Sequence, residues 1–237
     1  MTIALQALRS NAQRRFYTWT GGALIAIVFA GFARTYYLKT VFGTPGLSLL
    51  LRAHGAVMTL WFGLFFAQVR LVAARRVDLH RRLGTFGAAL AGLVAITATT
   101  VIVEGQKRRF RLGHPQLPAM AFQLSIVLVF TLLVAAAILL RRRRDFHKRL
   151  MLLACLSILT PAIVRIPLHV IQRAGAFSLF GIVDLGVIAC LIIDAFNHRR
   201  VHPAFALGGL LIIVSQPVSV LLGRTASWMH FATWLVR

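Results

Sequence analysis

The sequence predicts an all-α fold: a polytopic transmembrane helical bundle of about seven spans, forming a single domain over 1–237 with a cytoplasmic N-terminus. Three observations predict it. Only 14% of the 237 residues are charged and 59% are hydrophobic, whereas roughly a quarter of a soluble domain is charged. The apolar residues gather into runs of about 20, the helical length that crosses a hydrocarbon core about 30 Å thick. The 27 Lys and Arg, set against five Asp and Glu for a net charge of +22, lie mostly between those runs. A nucleic-acid binder would instead cluster this charge on a water-exposed face, so nucleic acid is excluded as a partner. Strands are excluded because an open sheet cannot satisfy its backbone in lipid and no barrel-like alternation is present.

The spans are expected over 16–37, 49–74, 83–103, 117–140, 150–171, 177–196 and 204–222. Arg9, Arg14 and Arg15 hold the entrance of the first, which reads as an uncleaved signal anchor. Arg70, Arg75 and Arg76 close the second, and Arg81 and Arg82 open the third. The run Arg141 to Arg144, with Lys148 and Arg149, separates the fourth span from the fifth, and Arg199 and Arg200 separate the sixth from the seventh. With the N-terminus inside, 16 of the 27 basic residues face the cytoplasm. That bias sets the orientation by the positive-inside rule and makes anionic lipid headgroups the natural counter-charge. Lys107, Arg108, Arg109 and Arg111 go against the bias, in an outward loop between the third and fourth spans. The tail 226–236 is too short to span, and Trp228 and Trp234 suit a helix lying in the outer interface. Cys155 and Cys190 lie within apolar runs and read as small buried residues.

One motif occurs twice. Asp78-Leu-His80-Arg-Arg-Leu precedes the third span and Asp145-Phe-His147-Lys-Arg-Leu precedes the fifth. Each Asp is placed to cap the following helix, and each basic pair to hold that helix end at the headgroups. The same repeat brings His80 and His147 into the bundle at matched depth. His54 lies 26 residues before His80, about 39 Å along a continuous helix, and therefore at the opposite face. His169 lies 22 residues after His147, about 33 Å by the same rise. Two histidines per face result: His54 with His169 outside, and His80 with His147 inside. Neutral imidazoles on separate helices can ligate haem iron axially within a bundle, so haem b is the cofactor these four residues suggest. Without a Cys-x-x-Cys-His motif the attachment would be non-covalent.

Arg165, between Pro161 and Pro167, is an ionisable group inside an apolar run. Asp184 in the sixth span shares its depth, so an Arg165–Asp184 ion pair is expected, with Gln172 and His169 lining an anion or proton pathway as the alternative use. Pro217, after Ser215 and Gln216, should kink the seventh span, and Gln216 is placed to bind a freed carbonyl. No nucleotide-binding loop, hydrolase elbow or zinc-protease motif occurs.

These segments resemble a widespread family of uncharacterised multi-helix bacterial inner-membrane proteins. The resemblance rests on Arg34-Thr-Tyr36-Tyr37, His54-Gly55, Leu79-His80-Arg-Arg-Leu-Gly84 and His147-Lys-Arg-Leu-Met-Leu-Leu-Ala154, with Arg165-Ile-Pro167, Val201-His202-Pro203 and Ser215-Gln216-Pro217 beyond them. It implies a helical inner-membrane protein and transfers no activity. The two-layer histidine pattern is also similar, by analogy only, to membrane b-type cytochromes. Three function classes follow: a redox or haem-associated membrane protein, a small-anion or proton transporter, and an accessory subunit of a membrane-protein complex.

Overall fold

A computed structural model describes residues 2–173, 176–198 and 200–237, without the side chains of 2–10, 170, 172, 176–179 and 198. Its helices, in chain order, are α1 (Thr2–Phe32), α2 (Leu49–Ala73), α3 (Val77–Arg111), α4 (Leu117–Leu139), α5 (Arg144–Ser157), α6 (Thr160–Ile163), α7 (His169–Arg173), α8 (Ala176–His198), α9 (Pro203–Leu222) and α10 (Ala226–Val236). No strand occurs among the described residues. Seven segments among them are long and apolar enough to cross a membrane. The chain is a multi-pass, all-α membrane protein.

Local chemistry sets the boundaries. Ser48 caps α2 by accepting from the Leu51 amide at 3.3 Å, and Thr225 caps α10 by accepting from Trp228 at 3.2 Å. Gly113, at φ 76°, makes the left-handed turn after α3 that an L side chain resists. α1 ends in a π-helical turn, Ala33–Tyr37, that sets Tyr36 and Tyr37 against α2.

Three expectations need correction. The outward basic loop is helical: α3 runs on to Arg111, so Lys107 to Arg111 form its last turn, where cations suit the negative end of the helix dipole. Neither repeat aspartate is a cap. Asp78 and Asp145 lie within the first turns of α3 and α5, behind N-caps Arg76 and Arg143 that make no side-chain bond. The fifth span is not one helix over 150–171. It breaks at Ile158–Leu159, resumes as α6, and loosens again over 164–168 before α7. Pro161 and Pro167 lack the N–H groups that would continue the ladder, so a single-helix rise does not measure the distance from His147 to His169.

Irregular backbone at membrane depth is tolerated where protein surrounds it, and α5–α6 is the most enclosed part of the bundle. In the most apolar 18-residue stretch within Arg144–Ile163, 72% of residues are buried, against 17% to 33% in the corresponding stretches of the other six spans. Leu152, Leu153, Ala154 and Cys155 form the centre, and Trp61 and Phe130 meet edge to face at 5.1 Å nearby. The tail helix α10 occupies its expected range. It packs Ala232 and Val236 against Leu117 and Met120, and Trp228 Nε1 donates to the Leu117 carbonyl at 2.8 Å.

Gly31 on α1 touches the α6 backbone so closely that an added Cβ would fall on the carbonyl of Ala162. Neither backbone can retreat cheaply. Gly31→Ala is expected to destabilise the purified protein by about 1–3 kcal/mol in thermal unfolding. Gly63→Ala, whose Cβ meets nothing within 4 Å, serves as the control and should be neutral or slightly stabilising.

Candidate functional site

The second copy of the repeat builds the most buried polar cluster. Arg149 is 1% exposed and Asp194 on α8 is 6% exposed. Arg149 Nε donates to Asp194 Oδ1 at 3.0 Å, and its Nη2 bonds the same oxygen. Nη1 donates back along α5 to the Asp145 carbonyl at 2.9 Å and to Asp145 Oδ1 at 3.3 Å. The guanidinium lies over Phe205 of α9, 5.6 Å from the ring centre. One arginine thus ties α5, α8 and α9 together at the arginine-rich end. His202 closes this end by accepting from the Ala204 amide at 3.1 Å as the α9 N-cap. Burial, aided by the charge of Arg149, holds its imidazole below the ordinary histidine range, which favours the neutral ring that capping requires.

Sequence reasoning missed this buried ion pair. Arg149 reads there as one more topology arginine. The available signal was scarcity: the chain has five acidic residues, and Asp194 is one of two inside a single apolar run. It lies four residues before the end of α8, level with Arg149 five residues into α5.

The inner histidines do meet. The rings of His80 and His147 lie with centroids 6.3 Å apart and planes at 85°. His147 Nδ1 donates to the Ala137 carbonyl at 2.9 Å, which leaves Nε2 as the nitrogen not engaged by that bond. His80 Nδ1 is buried with no partner among the described residues, and so is Oε1 of Gln68, whose Nε2 donates to the His80 carbonyl at 3.2 Å. Both rings are half-buried, so one edge of the pair faces the rim.

The outer histidines are not in contact in the structure. Thr97 gives its hydroxyl proton to the Leu93 carbonyl at 2.8 Å and therefore accepts from His54 Nδ1 at 3.0 Å. Gly55 lets the ring of Tyr36 lie against α2 where a Cβ would clash, and the Tyr36 hydroxyl donates to the Arg52 carbonyl at 3.0 Å. His169 is exposed, at the start of α7.

The expected Arg165–Asp184 ion pair is absent from the described residues. Arg165 Nη1 donates to the Pro161 carbonyl at 2.6 Å, and the guanidinium lies 5.1 Å from the centre of the Phe32 ring. The Arg165 amide bonds the Ala162 carbonyl, which leaves the Pro161 carbonyl in α6 without that helical N–H, and it outcompetes a carboxylate on another helix by proximity. Asp184 instead accepts from Gln216 Nε2 at 2.7 Å. Gln216 is therefore not spent on a carbonyl freed by Pro217. The side chain of Gln172 lies outside the described residues. No cluster of three or more His, Cys, Asp or Glu side chains suited to a metal ion occurs among the described residues.

Compared with family models, curated proteins and solved structures, the chain matches none.

Removing one member of a buried ion pair strands the other charge, at about 3–5 kcal/mol, whereas replacing both with apolar groups is often neutral. Arg149→Met and Asp194→Leu should each lower stability in micelles by about that amount, and the double variant should recover most of it. Losses that simply add would contradict the pairing.

Proposed function

We propose that this protein is a membrane redox protein that holds one b-type haem at its arginine-rich end, with His80 and His147 as the side chains that would hold its iron. The observation that carries the reading is the apposition of these two rings, whose centres lie 6.3 Å apart, from the two copies of one motif. The donor chemistry fits as well. Metal-bound histidines characteristically give their other N–H to a carbonyl or carboxylate, as His147 Nδ1 does to Ala137. On His80 a buried nitrogen has no partner among the described residues.

Bound there, haem would supply a one-electron couple. The chain's own residues do the rest. The α4 carbonyl of Ala137 fixes the tautomer and rotation of His147, and Gln68 holds the backbone of His80. Arg149, spent on Asp194, fixes the first turns of α5, where His147 sits. Arg81 and Arg82, exposed beside His80, offer cations to carboxylates at the aqueous rim. His54 and His169 lack a comparable apposition, so the reading covers one haem. It carries with it membership of the bacterial inner-membrane family that the motifs resemble, with the arginine-rich end cytoplasmic.

The test is optical. Protein purified from haem-supplied cells should show a b-type Soret band. His80→Ala and His147→Ala should each abolish or shift it, while His54→Ala leaves it intact. A colourless wild-type preparation, or a band indifferent to residues 80 and 147, would overturn the proposal.

A further inference from the structure

In the half of the bundle away from the arginine-rich end, a small cavity of about 10 Å³ lies between α4, the α5–α6 break, α8 and α9, on the scale of one water-sized sphere. Its polar lining is Ser125, Ser157, Thr160, Ser215 and Gln216. Asp184 reaches this lining through its bond to Gln216, and its chain neighbour Val183 lines the wall. Five polar side chains and a carboxylate are a costly concentration within a membrane, where such groups gather at ion or substrate sites.

The hydrogen-bond directions decide what this lining attracts. Ser157 gives its hydroxyl proton to the Ala154 carbonyl at 2.9 Å, and Ser215 gives its own to Ile212 at 2.7 Å. Gln216 turns its amide nitrogen to Asp184 and keeps Oε1. Both of these serine protons are spent within their own helices, so the Ser157 and Ser215 oxygens keep lone pairs. Two prolines add to this. Pro161 cannot supply the N–H that the Ser157 carbonyl would take in a continuous helix, and Pro217 cannot supply the one for Ile213. Discontinuous spans whose backbone oxygens face a polar site are a recurrent way to hold Na⁺.

Charge balance points the same way. No Lys, Arg or His forms an ion pair with Asp184 among the described residues; the pairs found there use Glu104, Asp145 and Asp194. Arg165, the nearest by sequence reasoning, is spent on Pro161. An acidic side chain without an ion-pair partner among the described residues favours a single positive charge beside it. A divalent ion would overshoot and an anion would double the deficit. We propose that Asp184, Gln216, Ser215 and Ser157 form a binding site for one sodium-sized monovalent cation in the interior of the bundle. The site uses none of the histidines and stands independently of the haem reading.

The experiment compares thermal unfolding of the purified protein in sodium, potassium and choline chloride at equal ionic strength, together with retention of radioactive ²²Na⁺. Binding to the folded state raises the midpoint in proportion to ln(1 + [Na⁺]/Kd). The expected result is a saturable rise in sodium alone, with ²²Na⁺ retained at about one ion per chain, as the charge argument requires. Asp184→Asn should abolish both while keeping the choline midpoint near wild type. Ser215→Ala should weaken sodium affinity about tenfold, which keeps the test decisive if the Asn variant folds poorly. His80→Ala should leave the sodium response unchanged. Identical midpoints in all three salts with no retained ²²Na⁺ would overturn the proposal and leave the cavity to a single water.

Discussion

Hydrocarbon offers no hydrogen-bond partner, and that constraint governs the arrangement of this bundle. Each polar group that enters must find its partner in protein. The severest instance is Arg149, whose side chain is 1% exposed although it follows two residues after a half-buried histidine. Its guanidinium is satisfied from three directions, by Asp194, by the Asp145 carbonyl and by the face of Phe205. A pair of this kind adds little net stability relative to apolar packing, but it leaves few alternative arrangements once formed. It fixes the register of α5 against α8 and α9, and with it the depth of His147.

Two further clusters of polar side chains lie at separate places. At the arginine-rich end, Gln68, His80 and His147 meet where α2, α3, α4 and α5 converge. Toward the other end, Asp184 and Gln216 meet beside the interrupted helix, with serines that have bonded back to their own helices. Between them runs the apolar centre of α5, Leu152 to Cys155, without a polar side chain. The two clusters therefore sit at separate depths of one bundle, and the chemistry proposed for each draws on different residues.

Much of this was legible in the sequence. Hydropathy and length set the seven spans, because the bilayer imposes both. The duplicated Asp-apolar-His motif foretold that His80 and His147 share a depth, and the structure puts them in contact. Partner choice was not legible. Counting along the spans put Arg165 and Asp184 at one depth, yet a guanidinium reaches its own backbone four residues back before it reaches another helix. Depth follows from counting residues along a span, whereas azimuth around the helix decides who meets whom. The break after Ser157 rotates everything beyond it, so His169 and Arg165 lost the phase that a continuous helix would have given them. Asp194 was overlooked for the same reason: its partner is identified only once α5 and α8 are known to pack.

The central claim is that lipid-driven packing brings the two copies of the motif together at one end of the bundle. Site-directed cross-linking tests it most directly. With Cys155 and Cys190 replaced by alanine, cysteines placed at positions 80 and 147 should join rapidly within one chain in native membranes under mild oxidant or a short bifunctional reagent. Cysteines at 54 and 147, on opposite faces, should not. Failure of the 80–147 pair to join, in protein that is inserted and folded, would contradict the account.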